Sequence, residues 1–167
     1  MRVLGVDPGS SATGWALIAA EGNRYRLEAT GVVRPKGGDR AGRLADLQQR
    51  LLEIVERLRP DCAAVESSFS GRNPRSGLQL AESRGVVLAA LGQAAVATSS
   101  YSPAEIKSAI VGHGRAEKQQ IVYMVTRLLN LAGGNTLIGH VREYNVSGKS
   151  IYGPNGKGVI NITNGAT

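Results

Sequence analysis

The chain of 167 residues is short of aromatics, with one Trp, one Phe and five Tyr. It has a single cysteine, and it has no aspartate beyond Asp61. Each shortage excludes something. One thiol, Cys62, rules out an internal disulfide; it fits a reducing compartment and reads as a core residue. No apolar run is long enough to cross a bilayer, and the start of the chain reads as a strand rather than a secretory signal. Cytoplasm and no membrane are therefore the expectation. Asn145-Val-Ser and Asn161-Ile-Thr are glycosylation triplets without a signal to make use of them. Gly148-Lys149-Ser150 ends like a phosphate-binding loop, but Glu143 stands where its first glycine belongs.

What is present suits one domain with one core. The chain is 42% hydrophobic and 20% charged, the profile of a globular rather than a disordered protein. Its formal net charge of +7 favours a polyanionic partner, of which nucleic acid is the commonest. Val3, Leu4 and Val6 make a short β-type run ending in Asp7-Pro8-Gly9-Ser10. Thr13–Ile18 and Arg24–Val33 continue as strands around a Glu21-Gly22-Asn23 turn, giving an antiparallel meander. Asp39 caps a helix whose Leu44, Leu47, Leu51, Ile54, Val55 and Leu58 recur at helical spacing until Arg59-Pro60. Cys62–Val65 is a buried strand ending in Glu66. Ser67–Arg75 is a polar loop, Ser76–Gln93 a helix and Ala94–Tyr101 a fifth strand. Ser102-Pro103-Ala104-Glu105 opens a further helix with a capping box. After the Gly112-His113-Gly114 break, Glu117–Leu131 is the last helix, with Ile121, Met124, Val125 and Leu128 on its apolar face. This order indicates α/β with a mixed sheet. Residues 132–167 are rich in Gly and Asn turn signals and read as an atypical tail, as β-hairpins or as disorder but not as helix.

Two strands thus end in carboxylates. If Asp7 and Glu66 meet in one sheet, they repel unless a cation lies between them, which suggests a Mg²⁺ site; the alternative is that each caps a turn or pairs with an arginine. The loop after Glu66 sets Phe69 among Arg72, Asn73 and Arg75, the residue types that stack an unpaired base and grip its backbone, unless Phe69 joins the core. Lys107, Arg115 and Lys118, around the glycine break, suit phosphate contacts or plain solvation. Actin-like and sugar-kinase folds share the strand-Asp-x-Gly opening, but they need a second duplicated domain for which this chain has no room.

Several stretches together resemble the RuvC family of Holliday-junction resolvases. They are Met1-Arg-Val-Leu-Gly-Val-Asp-Pro-Gly-Ser, Thr13-Gly-Trp, Val65-Glu66 with Phe69, Arg72-Asn73-Pro74-Arg75-Ser76, Ala81–Val86, Tyr101-Ser-Pro with Lys107, and Arg115-Ala-Glu-Lys118. They occur in the family's order through about Leu131. The resemblance implies an RNase H-like fold over residues 1–131, with a mixed five-stranded sheet flanked by helices. It implies a homodimer formed near the small-residue helix around Gly85 and Ala89. It also implies Mg²⁺-dependent cleavage of four-way DNA junctions in recombination and repair, with a pair of ions per site and with RuvA and RuvB as partners. By the same likeness Asp7 and Glu66 are metal ligands, Phe69 stacks on a base near the crossover, and Lys107 and Lys118 face the scissile backbone. The family completes its metal site on a last helix, with an Asp or a His followed three residues later by an Asp. Here that pair is missing, and the nearest replacement is His140 with Glu143, three residues apart. The alternative is a four-way-junction-binding protein that has lost cleavage.

Overall fold

The computed structural model describes residues 1–67 and 74–131 together with two short strand pieces in the tail. Its centre is β1 (Arg2–Asp7), in which every residue after Arg2 is buried. A strand covered on both faces must be apolar on both, and Val3-Leu4-Gly5-Val6 satisfies that. β2 (Thr13–Glu21) returns antiparallel to β1, and β3 (Arg24–Val33) lies antiparallel to β2 on the outer edge. The reversal between them uses Gly22 at φ 58°, a left-handed conformation that a tight two-residue loop needs and that glycine adopts without steric cost. β4 (Cys62–Glu66) and β5 (Ala97–Tyr101) then add parallel strands on the other side of β1. The sheet order is β3-β2-β1-β4-β5. It is the mixed sheet expected of an RNase H-like α/β fold.

Alternation along the strands divides the interior into two cores. On one face Leu4, Val6, Trp15, Leu17, Ala63 and Val65 pack against α1 (Arg40–Leu58) and α2 (Pro74–Gln93) through Leu47, Leu51, Val87 and Leu91. On the other face Val3, Ala16, Ile18, Cys62 and Ala64 meet α3 (Pro103–Val111) and α4 (Lys118–Leu128) through Ile106, Ile110, Ile121 and Val125. Cys62 is a core residue, and burial pushes its thiol pKa up, away from a reactive thiolate.

Local signals account for most element ends. The Asp39 carboxylate accepts the Gly42 N–H at 2.7 Å to start α1, and Arg59 ends it in a left-handed conformation just before Pro60. At α3 the capping box is complete: the Ser102 hydroxyl accepts from the Glu105 N–H, and the Glu105 carboxylate accepts from the Ser102 N–H. Three expectations shift. α2 begins at Pro74, two residues before Ser76, because proline suits a first helical turn. β5 begins at Ala97 rather than Ala94, since Ala94–Val96 serve the exit of α2: Val96 N–H bonds the Leu91 carbonyl and Ala95 N–H bonds that of Gly92. That Schellman pattern holds Ala95 at φ 53°, where glycine is usual, so the sequence carries no stop signal. On α4 the apolar face turns inward through Ile121, Val125 and Leu129, leaving Leu128 exposed. In the tail, β6 (Ile151–Tyr152) pairs antiparallel with β7 (Gly158–Val159).

Candidate metal and nucleic-acid site

Register brings the two strand-end carboxylates together. Val6 is paired with Val65 across the parallel β1–β4 ladder, so the next residue of each strand, Asp7 and Glu66, stands side by side at the C-terminal rim. Period-two alternation from Val3 and from Cys62 puts both side chains on the face covered by α3 and α4. Both residues are buried, at 4% and 3% exposure. The row continues outward to Gly14, opposite Asp7, and to Tyr101, opposite Glu66. The β4–β5 ladder is prolonged past Glu66 by the Ser67 N–H, which donates to the Tyr101 carbonyl at 2.9 Å and so fixes the exit of β4.

The turn that leaves Asp7 is held as tightly. A Cβ on Gly9 would lie 2.0 Å from the Ala12 carbonyl oxygen, so only glycine permits this close return of the chain. From the far side Arg40, the first residue of α1, donates to the Ser10 carbonyl at 3.3 Å. The same guanidinium pairs with Glu82 at 2.7 Å and reaches the Ser83 hydroxyl at 3.1 Å and the Gln79 carbonyl, all on α2. Arg40 is not marked out as a site residue by the sequence, and Tyr101 belongs to a stretch that carries the family resemblance but is given no role by it. The placement of Tyr101 opposite Glu66 depends on strand register, and Arg40 stands among the other basic residues of a charged helix face.

The candidate basic residues lie on both layers of helices: Lys107, Arg115 and Lys118 belong to the α3–α4 layer that covers the carboxylates, and Arg75 to α2 on the other layer. Lys107 follows Ile106, which is buried against the sheet, and is half-buried on α3. Arg115 and Lys118 are exposed where the chain turns from α3 into α4, as is His113. Arg75 is exposed in the first turn of α2. Phe69, Arg72 and Asn73 lie outside the described residues, as do His140 and Glu143. Among the described residues no group of three or more His, Cys, Asp or Glu side chains converges on a metal position.

Two adjacent oxygen-rich side chains in a buried rim are hard donors, the kind Mg²⁺ takes in ones and twos while keeping waters and substrate phosphate oxygens as its other ligands. The chemistry of the pair therefore fits Mg²⁺, with room for a further protein ligand. A mixed sheet wound in this order, with carboxylates at neighbouring strand exits, puts the molecule in the class of RNase H-like nucleases. Residues 3–138 match the sequence model of crossover junction endodeoxyribonuclease RuvC, and the chain belongs to that family.

Its relatives span most of its length. The crossover junction endodeoxyribonuclease RuvC of Nitratidesulfovibrio vulgaris Hildenborough is 44% identical over 131 residues, covering 78% of this chain and 79% of that protein. That of Alkalilimnicola ehrlichii is 44% identical over 130 residues, with the same coverage of 78% and 79%. Among solved structures, Thermus thermophilus RuvC in complex with Holliday junction substrate superposes with a TM-score of 0.74 at 32% identity, covering 80% of this chain and 82% of that one.

Proposed function

We propose that this protein is a Mg²⁺-dependent endonuclease that resolves Holliday junctions by paired, symmetric nicks in recombination and repair. The observation that carries the proposal is the side-by-side placement of buried Asp7 and Glu66 at the rim of two parallel strands, on the face where the lysine-bearing helices lie. Asp7 and Glu66 would hold the metal. When bound, Mg²⁺ supplies the polarisation of the scissile phosphate and the activation of water that phosphodiester hydrolysis requires. The protein does the rest. Lys107 and Lys118, with Arg115, hold the scissile backbone; Arg72, Asn73 and Arg75 grip the strand beside it; Phe69 stacks on a base near the crossover. Residues 1–131 form the nuclease domain. Residues 132–167 form a tail from which Glu143, with or without His140, supplies the remaining ligand.

Symmetric cutting needs a twofold assembly. On α2, Leu78, Ala81, Gly85 and Ala89 form an exposed stripe at helical spacing, and among the described residues a Cβ placed on Gly85 would meet nothing beyond its own helix backbone within 4 Å. We assign that stripe to a homodimer contact, since small residues allow close helix approach and a twofold contact presents two sites to opposed strands. The cytoplasm, and work alongside the branch-migration proteins RuvA and RuvB, complete the proposal.

A second reading is favoured by one observation: only two carboxylates converge among the described residues, and the chain has no aspartate beyond Asp61. It is a junction-binding protein with an incomplete metal site. A four-way junction labelled on each strand in turn separates the two. The resolvase nicks two opposed strands at equivalent positions with Mg²⁺ and none with chelator. Tight binding without nicks establishes the second reading.

A further inference from the structure

We infer that Arg40 is a positioning residue for the metal site, acting through the turn that follows Asp7; the inference rests on the proposed metal site for its consequence, though not for its geometry. Arg40 occupies the first position of α1, immediately after the Asp39 cap. Locally this is a poor place for a cation, because the positive end of the helix dipole favours acids there. Its neighbours from other elements explain its presence. Half-buried, it gathers two carbonyls, a hydroxyl and a carboxylate: Ser10 from the β1–β2 turn, and Gln79, Ser83 and Glu82 from α2. Ser83 is itself buried at 1% exposure, and its hydroxyl also donates back to the Gln79 carbonyl at 3.1 Å. A planar guanidinium with several donors in fixed directions can satisfy such a set at once, and a lysine ammonium cannot match its fork.

The consequence follows from connectivity. Ser10 lies three residues past Asp7, on a turn already constrained by the contact of Gly9 with Ala12. α2 begins at Pro74, which follows closely in sequence on Phe69 and Arg72. Arg40 therefore joins the turn that follows one proposed metal ligand to the helix that the proposed DNA-gripping residues lead into along the chain. Its role is to hold Asp7 in register with Glu66 when metal and DNA arrive.

The test compares Arg40→Ala with Arg50→Ala. Arg50 is a half-buried arginine of the same helix whose partner, Asp46, lies away from the turn. The first readout is amide hydrogen exchange in the metal-free protein. Arg40→Ala should speed exchange of the Gly9–Thr13 amides at least tenfold, whereas Arg50→Ala should leave them unchanged. The second is the Mg²⁺ concentration for half-maximal single-turnover junction cleavage, which should rise several-fold in Arg40→Ala while junction Kd stays within twofold. If Arg40→Ala fails to fold, Arg40→Lys is read in the same way. Unchanged exchange at Gly9–Thr13 overturns the inference. So does faster exchange accompanied by an unaltered Mg²⁺ requirement. A parent protein that binds junctions without cutting them refutes the nuclease assignment instead, and the exchange comparison still decides the clamp.

Discussion

Gly9→Ala is the smallest change that should separate the fold from the site. The added Cβ would stand 2.0 Å from the Ala12 carbonyl oxygen and 3.2 Å from its carbon, against an ordinary contact of 3.4 Å or more. One end of the turn must therefore retreat by roughly 1.4 Å, and the partner is backbone, which cannot swing aside as a flexible side chain would. Forced packing of this kind costs about 1–3 kcal/mol, which for a chain of this length lowers Tm by about 2–4 °C per kcal/mol. The catalytic loss should be larger. The turn begins one residue after Asp7, and a displacement near 1 Å at reacting groups costs about 100-fold in rate. Thermal melts and single-turnover junction cleavage, measured on the same preparation, should show a folded protein that is mildly destabilised and cleaves about 100-fold more slowly. A variant with unchanged Tm and cleavage would mean that the turn does not close as described. A variant that loses both in proportion would mean that the turn matters only for folding.

Two further substitutions test the scaffold. Ala95→Gly should raise stability by about 1 kcal/mol, because Ala95 sits at φ 53° in a helix exit that glycine enters without a Cβ clash; denaturant midpoints check it, and an unchanged or lower midpoint contradicts the assigned exit. Glu28 accepts from Arg2 at 2.8 Å and from Arg26 at 2.6 Å, and the hydrogen bond from Arg2 is the main cause holding its carboxyl below the ordinary value of 4.5. A carboxylate depressed in the folded state stabilises above its unfolded pKa, and the benefit is lost as pH falls through the folded value. Glu28→Gln should therefore lower Tm at pH 7 and flatten the decline in Tm between pH 5 and pH 3; parallel curves for variant and parent would remove Glu28 from the account.

What the sequence made legible was local. Asp39, Arg59-Pro60 and the Ser102–Glu105 capping box are short-range signals, and α1 and α3 begin or end where those signals stand. The run Arg24–Val33 alternates and stops at a glycine turn on one side, and β3 has those bounds. α2 ends at Gln93 as its pattern predicts, but the turn after it is hidden inside the run assigned to the fifth strand, because the left-handed residue there is an alanine, which carries no signal. Asp7 and Glu66 were readable as strand ends, but their convergence depends on the Val6–Val65 register, a contact between residues far apart in the chain. Arg40 was invisible for the same reason: its partners come from Ser10 and from α2, and its own helix would sooner have an acid in its place. Helical spacing alone gives Leu128 and Leu129 similar claims on the apolar face of α4, and packing against the sheet selects Leu129, four residues on from Val125.

The central claim is that Asp7 and Glu66 act together on one divalent cation at the rim of the sheet. Its most direct measurement is four-way-junction cleavage across a Mg²⁺ titration by the parent, Asp7→Asn and Glu66→Gln, with junction affinity measured in chelator. Each substitution should abolish Mg²⁺-dependent nicking and leave affinity equal or tighter, since a negative charge facing the phosphates has been removed. Nicking that survives either substitution with an unchanged Mg²⁺ dependence would contradict the claim.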